Sequence, residues 1–215
     1  MKACAGRARR RGSTAPGCWP APSARGRRGW RKAANRSVLV APDGGIAAFY
    51  DKLHLFDVTT PDGKTYHESS QALHGGEPVV ARTSLATLGL TICYDVRFPG
   101  LYRALALAGA EVFTVPSAFT RPTGKAHWHT LLRARAIENA AYVLAPAQCG
   151  THPGGRETYG HSLIVDPWGT VLAEGSAEET GVVTAEIDIA KVVQIRAQLP
   201  VLAHHRDLPT VRVFA

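Results

Sequence analysis

The chain has 215 residues, of which 45% are hydrophobic, and a formal net charge of +8. This length suits one well-buried domain and does not require two. No apolar run reaches the roughly 20 residues of a membrane-spanning helix, so we expect a soluble protein. Eleven of the 25 Lys and Arg lie in residues 1–36, before the first acidic residue, Asp43. The rest of the chain is mildly acidic, which argues against a nucleic-acid-binding domain.

Residues 1–34 form a segment rich in Arg, Gly, Ala and Pro and poor in aliphatic side chains. Such a segment cannot bury enough apolar surface to offset chain entropy, so we predict that it is disordered. An Arg-rich, acid-free segment is also typical of a transit peptide or of a basic arm that binds RNA or a membrane. We favour a segment without an evolved role that precedes a domain predicted at 35–215.

Apolar runs and turn residues predict intermixed strands and helices from residue 37 onward. A hairpin is expected over 37–50, around the turn at 42–45, and a long polar loop over 57–76. Further strands are predicted at 83–92, 111–116, 142–145, 162–166, 170–173 and 182–187, and helices at 101–110, 127–140 and 190–198. Hairpins combined with crossovers predict an α/β fold with a mixed sheet.

One cysteine, Cys93, ends a predicted strand in the run G-L-T-I-C-Y-D-V-R-F and is followed by a turn-forming stretch. A nucleophile requires a rigid strand behind it and a sharp turn in front. A buried core cysteine would fit this position equally well.

The four cysteines have neither metal-ligand spacing nor a paired framework, which favours a reducing, cytosolic compartment. They are Cys4, Cys18, Cys93 and Cys149.

Two other polar residues stand out, Lys52 in Y-D-K-L-H-L-F-D and Glu68 in T-Y-H-E-S. Taken alone, a lysine between apolar neighbours more often extends its amine to solvent. A glutamate in a polar loop is usually a solvated charge. The order lysine, glutamate, cysteine nevertheless supplies the parts of a thiol acyl-transfer site.

Ordered motifs extend from about residue 35 to residue 208. They include Y-D-K-L-H-L-F-D-V, G-L-T-I-C-Y-D-V-R-F-P, V-P-S-A-F-T, T-G-K-A-H-W-H, R-A-R-A-I-E-N, A-P-A-Q-C-G, Y-G-H-S and V-D-P-W-G-T-V. With these runs the chain resembles the nitrilase superfamily of carbon–nitrogen hydrolases, in the branch of the deaminated-glutathione amidases and omega-amidases. Q-C-G followed by Y-G-H-S favours the former. The resemblance implies an α-β-β-α sandwich that here lacks the first strand and helix, and a homodimer formed through a helical face.

The resemblance also implies a cysteine-dependent amidase in which Cys93 attacks the amide carbonyl and water later cleaves the thioester. The Lys52 ammonium and the Tyr94 N–H would stabilise the oxyanion, and Glu68 would lie beside Lys52 and the substrate nitrogen. Family motifs place Phe119, His127 and Trp128 along the substrate pocket, although the two aromatic residues suit a core equally well. A small carboxylate-bearing amide is the implied substrate. No metal, organic cofactor, nucleic acid or membrane is implied.

The chain departs from the family pattern at the general base. The family places a base glutamate after its first helix, but no glutamate precedes Glu68 in this chain. We therefore expect an N-terminally truncated member, for which an inactive fragment or pseudoenzyme is the alternative. A general base contributes about 10²–10⁴-fold to the rate. The family uses no histidine as base, and histidines near the motifs show no spacing typical of a Cys–His pair or a zinc site.

Overall fold

The computed structural model describes residues 32–214 and the backbone of two short segments, Gly6–Arg7 and Gly17–Cys18. Residues 1–34, which were predicted to be disordered, lie almost entirely outside this described part, so their disorder stays a prediction. The domain boundary at residue 35 also stays a prediction. Gly6–Arg7 pairs in parallel with Val183–Thr184, and Gly17–Cys18 pairs antiparallel with residues 37–38.

Within the described residues the chain forms short strands, three α-helices and two 3-10 turns. The strands are β1 (Gly6–Arg7), β2 (Gly17–Cys18), β3 (Ala33–Ala34), β4 (Arg36–Val40), β5 (Ile46–Asp51), β6 (Asp57–Thr59), β7 (Thr65–His67), β8 (Ala72–Leu73), β9 (Val79–Arg82), β10 (Thr87–Leu90), β11 (Val112–Thr114), β12 (Tyr142–Ala145), β13 (Cys149–His152), β14 (Arg156–Tyr159), β15 (Leu163–Val165), β16 (Val171–Glu174) and β17 (Val183–Thr184). The helices are α1 (Pro99–Leu107), α2 (Arg121–Asn139) and α3 (Ile189–Gln198), and the 3-10 turns are Glu68–Ser70 and Cys93–Arg97.

The central sheet has six strands in the spatial order β16-β15-β12-β11-β10-β9. Strands β10, β11 and β12 run parallel, and antiparallel neighbours flank them on both sides. The parallel strands are joined through α1 and α2, because a parallel connection needs a long crossover. The predicted α/β class with a mixed sheet is confirmed.

One face of this sheet packs against α1 and α2 and forms the main core. Phe113 and Val143 point from the sheet into this core, where they meet Trp128 and Leu132 of α2. All four are completely buried. Gly89 lets the layers approach closely, because a Cβ there would lie 2.9 Å from the Phe113 ring.

The opposite face is covered by two different elements. Successive strand residues point to opposite faces, so Val112 points away from the main core and packs with Val192 of α3. At the end of β10, Tyr50 of the β4–β5 hairpin covers Leu90 and Ile92. The hairpin therefore brings the residues that follow β5 to the end of β10.

The structure differs from the predicted elements at several places. Of the strand predicted over 83–92, only Thr87–Leu90 (β10) is a strand. Residues 83–86 form a turn between β9 and β10, in which the Thr83 hydroxyl accepts hydrogen bonds from two backbone N–H groups. Helix α2 begins at Arg121 rather than at residue 127. Its first turn tolerates a proline, because the N–H that proline lacks would have no partner within the helix at that position. The polar loop over 57–76 contains the β6–β7 hairpin.

No helix between residues 32 and 214 is long and apolar enough to cross a bilayer.

Candidate active site

The strand and sharp turn expected around Cys93 are both present. Cys93 is the first residue of the 3-10 turn after β10, and its φ of 49° is left-handed. A non-glycine residue in this region carries about 1–3 kcal/mol of strain and keeps this conformation only where the surroundings hold it. Here the Cys93 N–H donates to the Pro116 carbonyl at 3.0 Å. The turn places the partly exposed thiol at the end of the sheet.

Lys52 and Glu68 form an ion pair next to β5. The Lys52 side chain is only 3% exposed, and its Nζ lies 2.5 Å from Glu68 Oε2. The same carboxylate accepts from the Phe56 N–H at 2.6 Å and from Asn35 Nδ2 at 2.7 Å. Burial raises the pKa of Glu68, but the charge of Lys52 and these hydrogen bonds outweigh burial and hold the pKa below its usual value. Glu68 is therefore a carboxylate that compensates the buried ammonium.

The backbone of Lys52 is held on both sides. Its N–H donates to the Asn35 carbonyl at 2.9 Å, and its carbonyl accepts from the Gly75 N–H at 2.8 Å. Gly75 fits this close approach because a Cβ there would lie 2.1 Å from the Asp51 carbonyl oxygen. The lysine is thus fixed in place before any ligand binds, as a site on rigid elements requires.

A buried aspartate, Asp95, connects the two halves of the site. Its side chain is completely buried. Oδ2 accepts from the Tyr50 hydroxyl at 2.7 Å and from the Ile92 N–H at 2.8 Å. Oδ1 accepts from the His54 N–H at 3.1 Å and lies 2.8 Å from His54 Nδ1. The carboxylate therefore joins the end of β5 to the end of β10.

Asp95 sets the relative position of the predicted catalytic residues. Lys52 lies between two of the residues that Asp95 binds on one segment, and Cys93 directly follows Ile92 on the other. The sequence analysis assigned no role to Asp95. An acidic residue two positions after a strand-ending cysteine was the available signal, but the sequence pattern did not reveal its burial.

A cation, Arg97, lies at the end of the Cys93 turn. Its guanidinium carbon is 5.3 Å from the Phe119 ring centroid and 6.0 Å from that of Tyr94. Its Nη2 lies 3.3 Å from His127 Nδ1. Burial lowers the pKa of Arg97, while attraction to Tyr94 and Cys93 opposes this shift. Arg97 thus places a positive charge at the end of the turn that begins with the thiol.

The residues predicted to line the substrate pocket occupy two environments. The Arg97 side chain brings together Tyr94, Phe119 and exposed His127. Trp128 lies behind Phe119 with ring centroids 5.0 Å apart; it is completely buried, and its Nε1 donates to the His161 carbonyl at 2.8 Å. The described contacts of Trp128 are those of a core residue.

Comparisons with known proteins identify the family of the chain. The sequence profile described as carbon-nitrogen hydrolase matches residues 21–197. The chain is 53% identical to a deaminated glutathione amidase from Synechocystis sp. (strain PCC 6803 / GT-S) over 175 residues, which cover 80% of this chain and 64% of the relative. It is 49% identical to the human protein of the same name over 179 residues, covering 82% of this chain and 54% of the relative. The chain thus spans about half to two thirds of these relatives.

Solved structures give the same result. The crystal structure of the C. elegans NitFhit protein matches with a TM-score of 0.76 and 46% identity, over 81% of this chain and 42% of that one. An amidase from Nesterenkonia sp. AN1 matches with a TM-score of 0.65 and 30% identity, over 81% of this chain and 63% of that one. The latter structure shows covalent addition of an acetamide moiety at the active-site cysteine of that amidase. The chain belongs to the carbon–nitrogen hydrolase family.

Proposed function

We propose that this protein is a cysteine-dependent amidase in which Cys93 is the nucleophile. One observation carries the proposal: the thiol stands on a left-handed turn, and Asp95 joins this turn to the segment that holds the Lys52–Glu68 pair. The names of the similar proteins, which are amidases, support it.

In the proposed reaction the Cys93 thiolate attacks the amide carbonyl and a C–S bond forms. The oxyanion of the tetrahedral intermediate accepts hydrogen bonds from the Lys52 ammonium and the Tyr94 N–H. The C–N bond then breaks, and the amine or ammonia leaves with the proton that the Cys93 thiol had released, returned through solvent. Water attacks the resulting thioester, the C–S bond breaks, and a carboxylic acid and the free thiol are produced. Glu68 orients Lys52, and lies on the side where the substrate nitrogen would bind.

The proposed substrate is a small amide that carries a carboxylate, such as deaminated glutathione, from which the amidases with 45–53% identity take their name. Arg97 lies beside the Cys93 turn, and a guanidinium is suited to a planar carboxylate. Phe119 and His127 contact Arg97 and would border the same space. Trp128 would act from behind Phe119.

The test is the release of ammonia or amine from a panel of small amides, including deaminated glutathione, by the purified chain. We expect Cys93→Ala to abolish release, because no thioester can form. The thioester on the Cys93 peptide should be detectable by mass spectrometry after rapid acid quenching. Cys149→Ala is the matched control and should retain activity. Trapping of the acyl group on Cys149 would refute the assignment.

The second candidate is a family member that is catalytically inactive by itself. It is favoured because no glutamate precedes Glu68 in this chain, and both oxygens of Glu68 already accept hydrogen bonds. The chain should then hydrolyse amides at least about 100-fold more slowly than a full-length relative, since a general base contributes about 10²–10⁴-fold. Fusion to the N-terminal part of a relative should restore the rate. Turnover at the relative's rate without fusion would exclude this candidate.

Assembly and location belong to the same proposal. The family resemblance implies a homodimer, and the absence of a paired cysteine framework in the sequence favours a cytosolic protein. Light scattering coupled to size-exclusion chromatography would measure the mass in solution, and a monomeric mass at micromolar concentration would contradict the dimer.

A further inference from the structure

Three metal-ligating side chains meet outside the proposed catalytic residues. His129 lies in the middle of α2, His161 precedes β15, and Glu174 ends β16. Glu174 Oε1 is 2.5 Å from His161 Nδ1 and 3.1 Å from His129 Nε2. All three ligand atoms lie within 4.8 Å of one another. Each side chain is between 24% and 40% exposed, so an ion can reach the cluster from solvent.

The imidazole of His161 is held by an unusual backbone conformation. His161 has a φ of 54° and follows Gly160, whose φ is 70°. The turn is fixed because the His161 N–H donates to the Ser176 carbonyl at 3.2 Å and its carbonyl accepts from Trp128 Nε1 at 2.8 Å. The Tyr159 ring packs on the imidazole with centroids 4.3 Å apart. A strained residue held in this way supports a functional interpretation.

The geometry suits a tetrahedral ion. Metal–ligand distances of about 2.0–2.2 Å place the ligands of a tetrahedral zinc site roughly 3.3–3.5 Å apart. The His129–Glu174 separation of 3.1 Å is close to this value. The shorter His161–Glu174 separation of 2.5 Å must widen by about 1 Å. Strand β16 is at the edge of the sheet and the Glu174 side chain is 40% exposed, so its carboxylate has room to move.

The donor set suits zinc rather than magnesium or calcium. Two imidazole nitrogens and one carboxylate oxygen match three-ligand zinc sites, in which water takes the fourth position. Glu174 Oε1 faces both imidazole nitrogens, so the three ligands already converge on one point.

We propose that His129, His161 and Glu174 bind one Zn²⁺ ion, which joins α2 to the edge of the central sheet. The three ligands lie 13 and 45 residues apart along the chain, counted between each histidine and Glu174. Such separations give no recognisable zinc spacing, so only the fold reveals the site. The site is independent of the amidase reaction and stands or falls separately from it.

Titration of the full, chelator-treated chain with Zn²⁺ by calorimetry tests the proposal. We expect one Zn²⁺ ion to bind per chain, at the cluster of His129, His161 and Glu174. We expect Zn²⁺ binding to weaken at least about 100-fold in each of three variants, Glu174→Gln, His129→Asn and His161→Asn. Loss of a group that only orients a metal ligand costs about 10–100-fold in affinity, and loss of the ligand itself should cost no less. Asparagine tolerates a left-handed φ, so it suits position 161. The matched control is His204→Asn, at an exposed histidine outside the cluster, which should leave the affinity unchanged.

Two further readouts separate this site from thiol binding. Zn²⁺ should raise the melting temperature of the wild type but not of Glu174→Gln, because an ion that binds only the folded state stabilises it. The Co²⁺-loaded protein should show tetrahedral absorption without a thiolate charge-transfer band. Absence of stoichiometric binding, unchanged affinity in Glu174→Gln and His129→Asn, or a thiolate band from the bound ion would each overturn the proposal. The first two variants decide the matter even if His161→Asn does not fold.

Discussion

Replacing Asp95 with asparagine removes the acceptor that joins β5 to the Cys93 turn. Asparagine has the same shape but presents an NH₂ group in place of one oxygen. If that group occupies the Oδ2 position it faces the Ile92 N–H, and if it occupies the Oδ1 position it faces the His54 N–H. In either orientation a backbone donor at this completely buried carboxyl loses its acceptor.

The expected loss of stability is about 3–5 kcal/mol. One unsatisfied buried donor costs about 1–3 kcal/mol, and the remaining hydrogen bonds weaken because they no longer involve a charge. Breaking a buried charged network costs a similar total of about 3–5 kcal/mol. This is a large part of a typical unfolding free energy of about 5–15 kcal/mol. The urea midpoint should fall by roughly 1–2.5 M for an m-value of about 2–3 kcal/mol per molar.

Urea denaturation followed by circular dichroism measures this loss for Asp95→Asn. The matched control is Asp43→Asn, because Asp43 is exposed and accepts only a local hydrogen bond from the Gly45 N–H. The control should lose less than about 0.5 kcal/mol, as is usual for surface substitutions. If Asp95→Asn loses less than about 1 kcal/mol, or no more than the control, Asp95 does not join the two segments.

Three further predictions concern the proposed catalytic residues. Iodoacetamide should label Cys93 faster than Cys149 in the folded protein, because Arg97 lies near the former thiol; peptide mapping that shows the reverse order would contradict the site. Lys52→Ala should lower kcat by about 10²–10³-fold through loss of oxyanion stabilisation, and an amide-hydrolysis assay that finds kcat unchanged would remove Lys52 from the mechanism. Because the folded pKa of Glu68 is depressed, its contribution to stability is present above the ordinary glutamate pKa of about 4.3 and is lost as the pH falls through the folded value. Urea midpoints between pH 6 and pH 3 should therefore fall more steeply for the wild type than for Glu68→Gln, and equal slopes would refute this linkage.

The sequence predicted those features that depend on neighbours along the chain. Alternating apolar residues and the turn at 42–45 predicted the β4–β5 hairpin, which the structure contains. An apolar strand ending at Cys93 predicted a turn there, and the structure shows a 3-10 turn with a left-handed first residue. Such patterns are readable because strand periodicity and turn preferences are local properties.

Local patterns were weaker where a strand was interrupted or an element was very short. The apolar stretch at 83–92 gave no sign of the turn that separates β9 from β10, because Thr83 and its neighbours do not include the glycine or proline that usually marks a turn. The β13–β14 hairpin was also not predicted.

Only the tertiary structure decided which polar groups meet and how deeply they are buried. The motifs suggested that Lys52 and Glu68 belong together, but packing fixed their 2.5 Å contact across 16 residues of chain. Asp95 is completely buried where the β4–β5 hairpin covers the end of β10. His161 and Glu174 meet because β15 and β16 pair side by side. Sequence patterns report the face on which a residue lies, whereas the partner across that face depends on the packing of distant segments.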